Sequence, residues 1–440
     1  MTQTNGYCNF ENMLKVLLIG SGGREHAIAL KLAKSNRLEK LFIAPGNPGT
    51  ASLGTNIPIK QTDINGLVNF AKNENIDVTI VGPEDPLVLG IVDTFESNGL
   101  KIVGPSAAAA QLEGSKEWSK DKMIKYGIPT ASFSSFSNYS EACAYIKKKN
   151  TYPIVIKADG LAAGKGVTVA TNEAMALDAI KDCLLDKKFH SAGASVVIED
   201  FLKGEEASIF AFTDGETVIP MVPAQDHKAI FDGDKGPNTG GMGAYSPTPI
   251  ATKDIEIKVM EQVFIPLIKG LKKDGVKYKG IIYAGLMIEN NNIAIVEFNA
   301  RFGDPETQVV LPQLKTDILD IFEAITSETL HKINVEWKNT PTVCVVMASE
   351  GYPNDYSTGY EINGIKDADS LENTNVIHAG TMINDEKLVT NGGRVLAVVG
   401  QSETLEKAIE SAYKGIKKIT FKNAYYRNDI GQKAFKHLPT

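Results

Sequence analysis

The sequence is poor in the residues that staple or metallate small folds. Its four cysteines, Cys8, Cys143, Cys183 and Cys344, show no CxxC spacing. That argues against a disulfide framework and a zinc site, and fits a reducing cytoplasm. The six histidines show no ligand or triad spacing, so none is assigned a catalytic role. No apolar run approaches the roughly 20 residues of a membrane-spanning helix. The opening "MTQTNGYCNFEN" lacks the apolar core of a signal peptide. Positive charge is not in excess either. A net charge of −7 argues against a general nucleic-acid or membrane-surface binder, although local basic groups can still meet anionic substrates. There is no internal repeat and no low-complexity tract.

What is present is ordinary for a soluble globular protein, with 43% hydrophobic and 22% charged residues. At roughly 150 residues per domain, 440 residues suggest two to four domains. Residues 1–12 read as a disordered extension before Met13, an equally good start. From 13 to 114, "LKVLLIGSGGREHAIALKLAKS" and the short runs "KLFIAPG", "VTIVGPEDP" and "LKIVGPS" alternate strand and helix. This pattern predicts an open parallel α/β sheet with functional loops at the strand C-termini. Residues 115–330 read as α+β, with a hairpin turning at "ENNN" (289–292), and 335–437 as a smaller β-rich domain closed by a helix.

Three glycine loops and one charged strand end carry the chemistry. "GSGGREHA" (20–27) has Glu25 where a dinucleotide fingerprint needs its third glycine. Phosphate binding by Gly20, Gly22 and Gly23 at a helix N-terminus remains the expectation, with a plain tight turn as the competing reading. "GLAAGKG" (160–166) is one residue short of a Walker A loop, and Gly166 replaces its Ser or Thr. A lid over phosphates or a flexible hairpin are both open. In "NTGGMGAYSP" (238–247), backbone amides could stabilise developing negative charge. In "VEFNARFGDPETQ" (296–308), alternation puts Glu297, Asn299 and Arg301 on one face and Phe298 and Ala300 on the other. Two oxygen donors beside a guanidinium suit Mg2+ and nucleotide phosphates. Lys157 lies inside the apolar run "PIVIKA", where a strand would not carry a charge idly.

In this order, "LLIGSGGREHA", "APGNPGTA", "GPEDPL", "QLEGSK", "PIVIKADGLAAGKGV", "IEDFLKGEEAS", "NTGGMGAYSP", "VEFNARFGDPETQ", "HAGT" and "NGGRVLAVV" resemble the ATP-grasp superfamily, and within it the phosphoribosylamine–glycine ligase family. The resemblance covers nearly everything after residue 12. It implies an N-terminal pre-ATP-grasp domain, a central ATP-grasp fold with a mobile lid over about 130–203, and a small C-terminal domain. It implies ATP-dependent joining of glycine to 5-phosphoribosylamine through a glycyl phosphate, giving glycinamide ribonucleotide, ADP and phosphate in purine biosynthesis.

By the same resemblance, ATP would be held by Lys116, Lys157, Gly164, Lys165, Gly166, Glu199, Phe201, Leu202 and Glu206, with Glu205 an exposed neighbour. Glu199 would open a hinge that holds adenine through its backbone. Mg2+ or Mn2+ would sit on Glu297 and Asn299, in a shell left open to ATP oxygens and water. The substrate side would use Gly20, Gly22, Gly23, Glu84, Asp85, Asp226 and Arg301, and catalysis Arg301, Gly241 and Gly243. For Arg301 a structural ion pair with Asp304 or Glu306 is the alternative. Arg394 is a guess for closing the site from the C-terminal domain. The expected partners are these small molecules, with no nucleic acid and no membrane, for a cytoplasmic monomer. Because the chain stops soon after its third domain, no room is expected for fused activities. Two other readings stay open: an ATP-grasp ligase for another carboxylate, and a non-catalytic nucleotide-binding regulator, which would be favoured had Glu297, Asn299 or Lys157 been missing.

Overall fold

The computed structural model describes residues 13–162, 166–186, 188 and 193–438. The expected extension at 1–12 and two loop residues expected to hold ATP, Gly164 and Lys165, lie outside the described residues.

The N-terminal unit is a five-stranded parallel sheet. From edge to edge its strands are Thr55–Asn56, Leu38–Pro45, Leu14–Gly20, Val78–Val81 and Ile102–Val103. The apolar run at 16–19 is continuous because the strand is covered on both faces. Val16 and Leu18 join one core with Ile28 of the first helix, and Leu17 and Ile19 join another with Phe42 and Leu67. Strand order reverses at the first strand, which places the loops after Gly20 and Val81 side by side at the switch point.

Two antiparallel sheets follow. The sheet in the segment expected as a lid, called the lid sheet below, runs Phe133–Phe136, Val196–Asp200, Ile154–Ala158, Val167–Ala170, and packs its own core against helices Tyr139–Lys149 and Glu173–Leu184. The body sheet runs Val218–Pro220, Glu205–Thr213, Gly280–Glu289, Asn292–Asn299. Residues 201–204 carry the chain from one sheet to the other. Gly204 makes that passage at φ +126°, where a Cβ would strike the Ile288 carbonyl, so only glycine fits. The "ENNN" hairpin turns on Asn290 and Asn291, both with positive φ (51° and 64°), the geometry that matches strand twist in a tight hairpin.

The C-terminal sheet is built around Thr342–Ser349, Arg394–Gln401 and Thr374–His378, covered by helix Leu405–Ile416. It also takes in Gln225–Asp226 and Gly243–Ser246 from the central segment. The second and third parts of the chain therefore share one sheet, and the glycine cluster at 238–243 sits at their junction.

Candidate active site

A cavity of about 480 Å³ lies between the lid sheet, the body sheet, the N-terminal switch point and the C-terminal sheet. Strand alternation explains most of its lining. In the lid, Ile154, Ile156 and Ala158 face the lid core, while Val155 and Lys157 face the cavity. In the body, Phe298 and Ala300 enter the core, and Glu297, Asn299 and Arg301 line the cavity.

Lys157 Nζ lies 2.9 Å from Glu199 Oε1 and donates to the Val296 carbonyl at 2.9 Å. Lys120 Nζ approaches the other oxygen of Glu199 at 3.0 Å and donates to Thr130 Oγ1 at 2.7 Å. Glu199 is 3% exposed, so one buried carboxylate serves two buried ammonium groups. Burial draws the Lys120 amine down to about 8 in spite of Glu199. Lys116 opens the helix Lys116–Tyr126, whose first amides are capped by Asp159 Oδ1, at 2.5 Å from Lys116 N and 3.2 Å from Glu117 N. Its Nζ donates to the Gly160 carbonyl at 2.8 Å, which ties Gly160 to the helix Lys116–Tyr126.

Glu297 and Asn299 face the cavity with no side-chain hydrogen bond to protein among the described residues. Burial pushes the Glu297 carboxyl up, but Lys228, Lys157 and Lys116 outweigh it and hold the group below its ordinary value. It is an ionised oxygen donor with lysines nearby but no side-chain hydrogen bond among the described residues. Among the described residues no cluster of three or more His, Cys, Asp or Glu could cage a metal. Two hard oxygen donors fit Mg2+ or Mn2+, since such ions complete their shells with water and phosphate oxygens.

The far end is an array of charges. Arg301 Nε lies 3.1 Å from Glu84 and Nη2 lies 2.7 Å from Glu113. Arg24 approaches Glu84 at 3.6 Å. Glu84 is held down to about 2: burial opposes this, and Arg301 and Arg24 overcome it. Glu113 goes the other way, pushed up to about 7 by burial and by Glu84 against the pull of Arg301. Arg394 reaches in from the C-terminal sheet, with Nη2 at 3.0 Å from Asp304 Oδ2 and Nη1 donating to the Gly240 carbonyl at 2.7 Å. Beside them, burial raises Asp226 to about 7 against Lys228. Lys228 Nζ meets Glu206 Oε2 at 2.6 Å.

Of the expected residues, Lys116, Lys157, Gly166, Glu199, Phe201, Leu202, Glu206, Glu84, Asp226, Glu297, Asn299 and Arg301 all line this cavity. Glu205 points the other way, to His437 at 2.9 Å, as strand alternation requires. Others are placed elsewhere. Gly20, Gly22 and Gly23 are outside the cavity lining, and the Gly22 amide already donates to Glu25 Oε2 at 2.6 Å. Asp85 is exposed on the helix Glu84–Val88. Gly241 and Gly243 are buried beneath the wall, which is formed by Gly240. The Gly241 amide is taken by Thr239 Oγ1 at 2.9 Å, and Gly243 pairs with Val345 in the sheet. Arg301 does make a structural ion pair, but with Glu84 and Glu113, not with Asp304 or Glu306. Sequence reasoning missed Lys120, Glu113, Lys228 and Glu306 and left Arg24 unassigned. All five line the cavity.

Family comparison agrees with this architecture block by block. Models described as phosphoribosylglycinamide synthetase match residues 14–113 (N domain), 114–307 (ATP-grasp A domain) and 342–433 (C domain). The phosphoribosylamine–glycine ligase of Halalkalibacterium halodurans is 49% identical over 422 residues, covering 96% of this chain and 97% of that protein. The crystal structure of the Thermotoga maritima phosphoribosylamine–glycine ligase superposes with a TM-score of 0.80 at 34% identity, over 94% of this chain and all of that one. The biotin carboxylase domain of a Hydrogenobacter thermophilus 2-oxoglutarate carboxylase shares the fold alone, at 15% identity and TM-score 0.72 over 94% and 92% of the two chains. Three matched domains in order, and close relatives aligned along nearly the full length, mean that this chain belongs to the phosphoribosylamine–glycine ligase family and is an ATP-dependent ligase.

Proposed function

We propose that this cavity joins glycine to 5-phosphoribosylamine, using ATP to make a glycyl phosphate and releasing glycinamide ribonucleotide, ADP and phosphate. One observation carries the assignment: the Glu297–Asn299 donor pair, free of side-chain hydrogen bonds among the described residues, lies in the same cavity as Lys116, Lys157 and the Arg301 array. A free carboxylate resists attack by an amine, and turning one of its oxygens into a phosphate leaving group removes that obstacle. Phosphoryl transfer asks the protein for alignment and charge neutralisation more than covalent help.

Lys116 and Lys157 bind the ATP phosphates. Glu206 takes the ribose hydroxyls, and Phe201 and Leu202 hold the base at the hinge. A divalent cation, Mg2+ or Mn2+, on Glu297 and Asn299 neutralises charge on the phosphates when bound. Arg301 orients the glycine carboxylate or its phosphate, with Asp226 nearby for the rest of glycine. Glu84 faces the ribose hydroxyls or amine of phosphoribosylamine. The lid and the Gly240 wall exclude water, which would otherwise consume the acyl phosphate. No described helix is long and apolar enough to cross a membrane.

The test is ATP-dependent phosphate release with glycine, with and without phosphoribosylamine generated from ribose 5-phosphate and ammonia. Release that needs both substrates, with the amide product seen by mass, is expected. Release with another carboxylate in place of glycine would reassign the substrate. Glu297→Ala should lower turnover by about 10²–10³ or more, the scale of losing one transition-state charge stabiliser, with unchanged circular dichroism. Wild-type-like activity would remove the metal assignment.

A further inference from the structure

We propose that the C-terminal segment 424–433 is a strap that positions one wall of the active cavity, with Arg427 as its positioning residue. The inference rests on the ligase reading above. The wall is the hairpin of Ala229–Phe231 and Lys235–Asn238, which presents Lys228 at one foot and Asn238, Thr239 and Gly240 at the other. By itself this ribbon is weak. Its register is irregular between Ala229 and Phe231, and Lys235–Asn238 is exposed throughout. Isolated two-stranded hairpins are marginal in water.

The chain supplies the missing support from about 200 residues downstream. Tyr425 OH donates to the Ile230 carbonyl at 3.0 Å, and the Asn428 amide donates to Asp232 Oδ1 at 2.8 Å. The Gly233 amide donates to Asp429 Oδ2 at 2.8 Å, and Lys433 Nζ lies 2.6 Å from Asp234. Arg427 joins both sides. Its side chain is 0% exposed. Nε and Nη2 each reach the Asp429 carboxylate at 2.7 Å, while Nη1 donates to the Ala229 carbonyl at 2.9 Å and to Asp234 at 3.0 Å. A buried guanidinium is costly unless its donors are satisfied; here Asp429 of the strap takes Nε and Nη2, and the hairpin takes Nη1. Ala229 directly follows Lys228, and both the Thr239 amide and its hydroxyl return to the Lys228 carbonyl at 2.8 Å. The bond from Arg427 therefore acts one residue from the lysine that closes the cavity beside Glu206.

A loosened wall admits water to the glycyl phosphate. Water then replaces the amine, the acyl phosphate breaks to glycine and phosphate, and the net reaction is ATP hydrolysis. The readout is the ratio of phosphate released to glycinamide ribonucleotide formed, which does not depend on the folded fraction. In the full-length protein, Arg427→Lys keeps the charge and loses the fork. It is expected to raise this ratio at least twofold over wild type, and to speed amide hydrogen exchange across 228–240. Asp232→Ala, which removes only the exposed contact to Asn428, should move both in the same direction by less. Ratios equal to wild type in both variants, with activity lost only in proportion to unfolded protein, would overturn the proposal. If Arg427→Lys does not fold, Asp232→Ala decides alone. Hydrogen exchange is read without substrates, so unchanged exchange refutes the strap, whereas absence of product from wild type refutes the ligase reading.

Discussion

Replacing Glu199 by Gln removes one negative charge from between two buried cations while keeping the shape of the side chain. Lys120 and Lys157 retain Thr130 Oγ1 and the Val296 carbonyl as partners, but neither partner carries charge. Breaking a buried pair by deleting one member costs about 3–5 kcal/mol, because the surviving charge is left uncompensated. Lys120 already sits near 8, so it sheds its proton near neutral pH once Glu199 is gone. That relief places the expected cost at the lower end, about 3 kcal/mol.

The chain has two tryptophans, Trp118 and Trp337, and Trp118 lies in the helix that carries Lys120. Urea unfolding followed by Trp118 fluorescence in a Trp337→Phe background isolates this region. With m values of about 1–3 kcal/mol per M, the midpoint should fall by roughly 1–3 M. In the proposed ATP pose the phosphates return negative charge to Lys157, so saturating ATP should restore more of the midpoint in the variant than it adds to wild type. A midpoint that does not move, or an equal ATP effect in both proteins, would refute Glu199 as the shared counter-charge.

Two further perturbations test the rest of the site. Gly241 adopts φ +112°, and a Cβ there would strike Pro305, so Gly241→Ala should lose about 1–3 kcal/mol of stability, read by thermal unfolding. Stability equal to wild type would mean the turn can relax. Glu113→Gln tests the Arg301 array. The folded-state value of Glu113 is raised from 4.5 to about 7, so between those values the folded protein holds a proton that the unfolded chain has lost. Its contribution is present below 4.5 and fades as pH rises through 7. The variant should show a flatter fall in unfolding midpoint between pH 4.5 and 7, and an unchanged slope would count against the assignment.

The part of the site carried by local periodicity was legible. That Glu297 and Asn299 share a face was readable because a strand sends alternate residues to opposite faces, and burial of Phe298 and Ala300 fixes which face meets the cavity. The hinge pair separated for the same reason, Glu206 to the cavity and Glu205 to His437. What was not legible depended on partners distant in sequence. The local exception is the loop at 20–23, whose glycines looked free to bind phosphate because spacing does not show that the nearby Glu25 side chain turns back to fill it. The helix Lys116–Tyr126 is the sharpest case. Its lysines split by helical spacing into Lys116 and Lys120 on one side and Lys122 and Lys125 on the other. That split was readable, but its direction was not. Asp274, about 150 residues away, takes Lys122 and Lys125 at 2.5 and 2.7 Å, and Glu199 takes Lys120. Lys116 and Lys120 therefore face the cavity because two carboxylates from other elements decide which side of the helix is structural. An Asp274→Asn variant should lower the stability of this helix's docking while leaving the ATP dependence of phosphate release unchanged. A raised KM for ATP would show that the two faces are not independent.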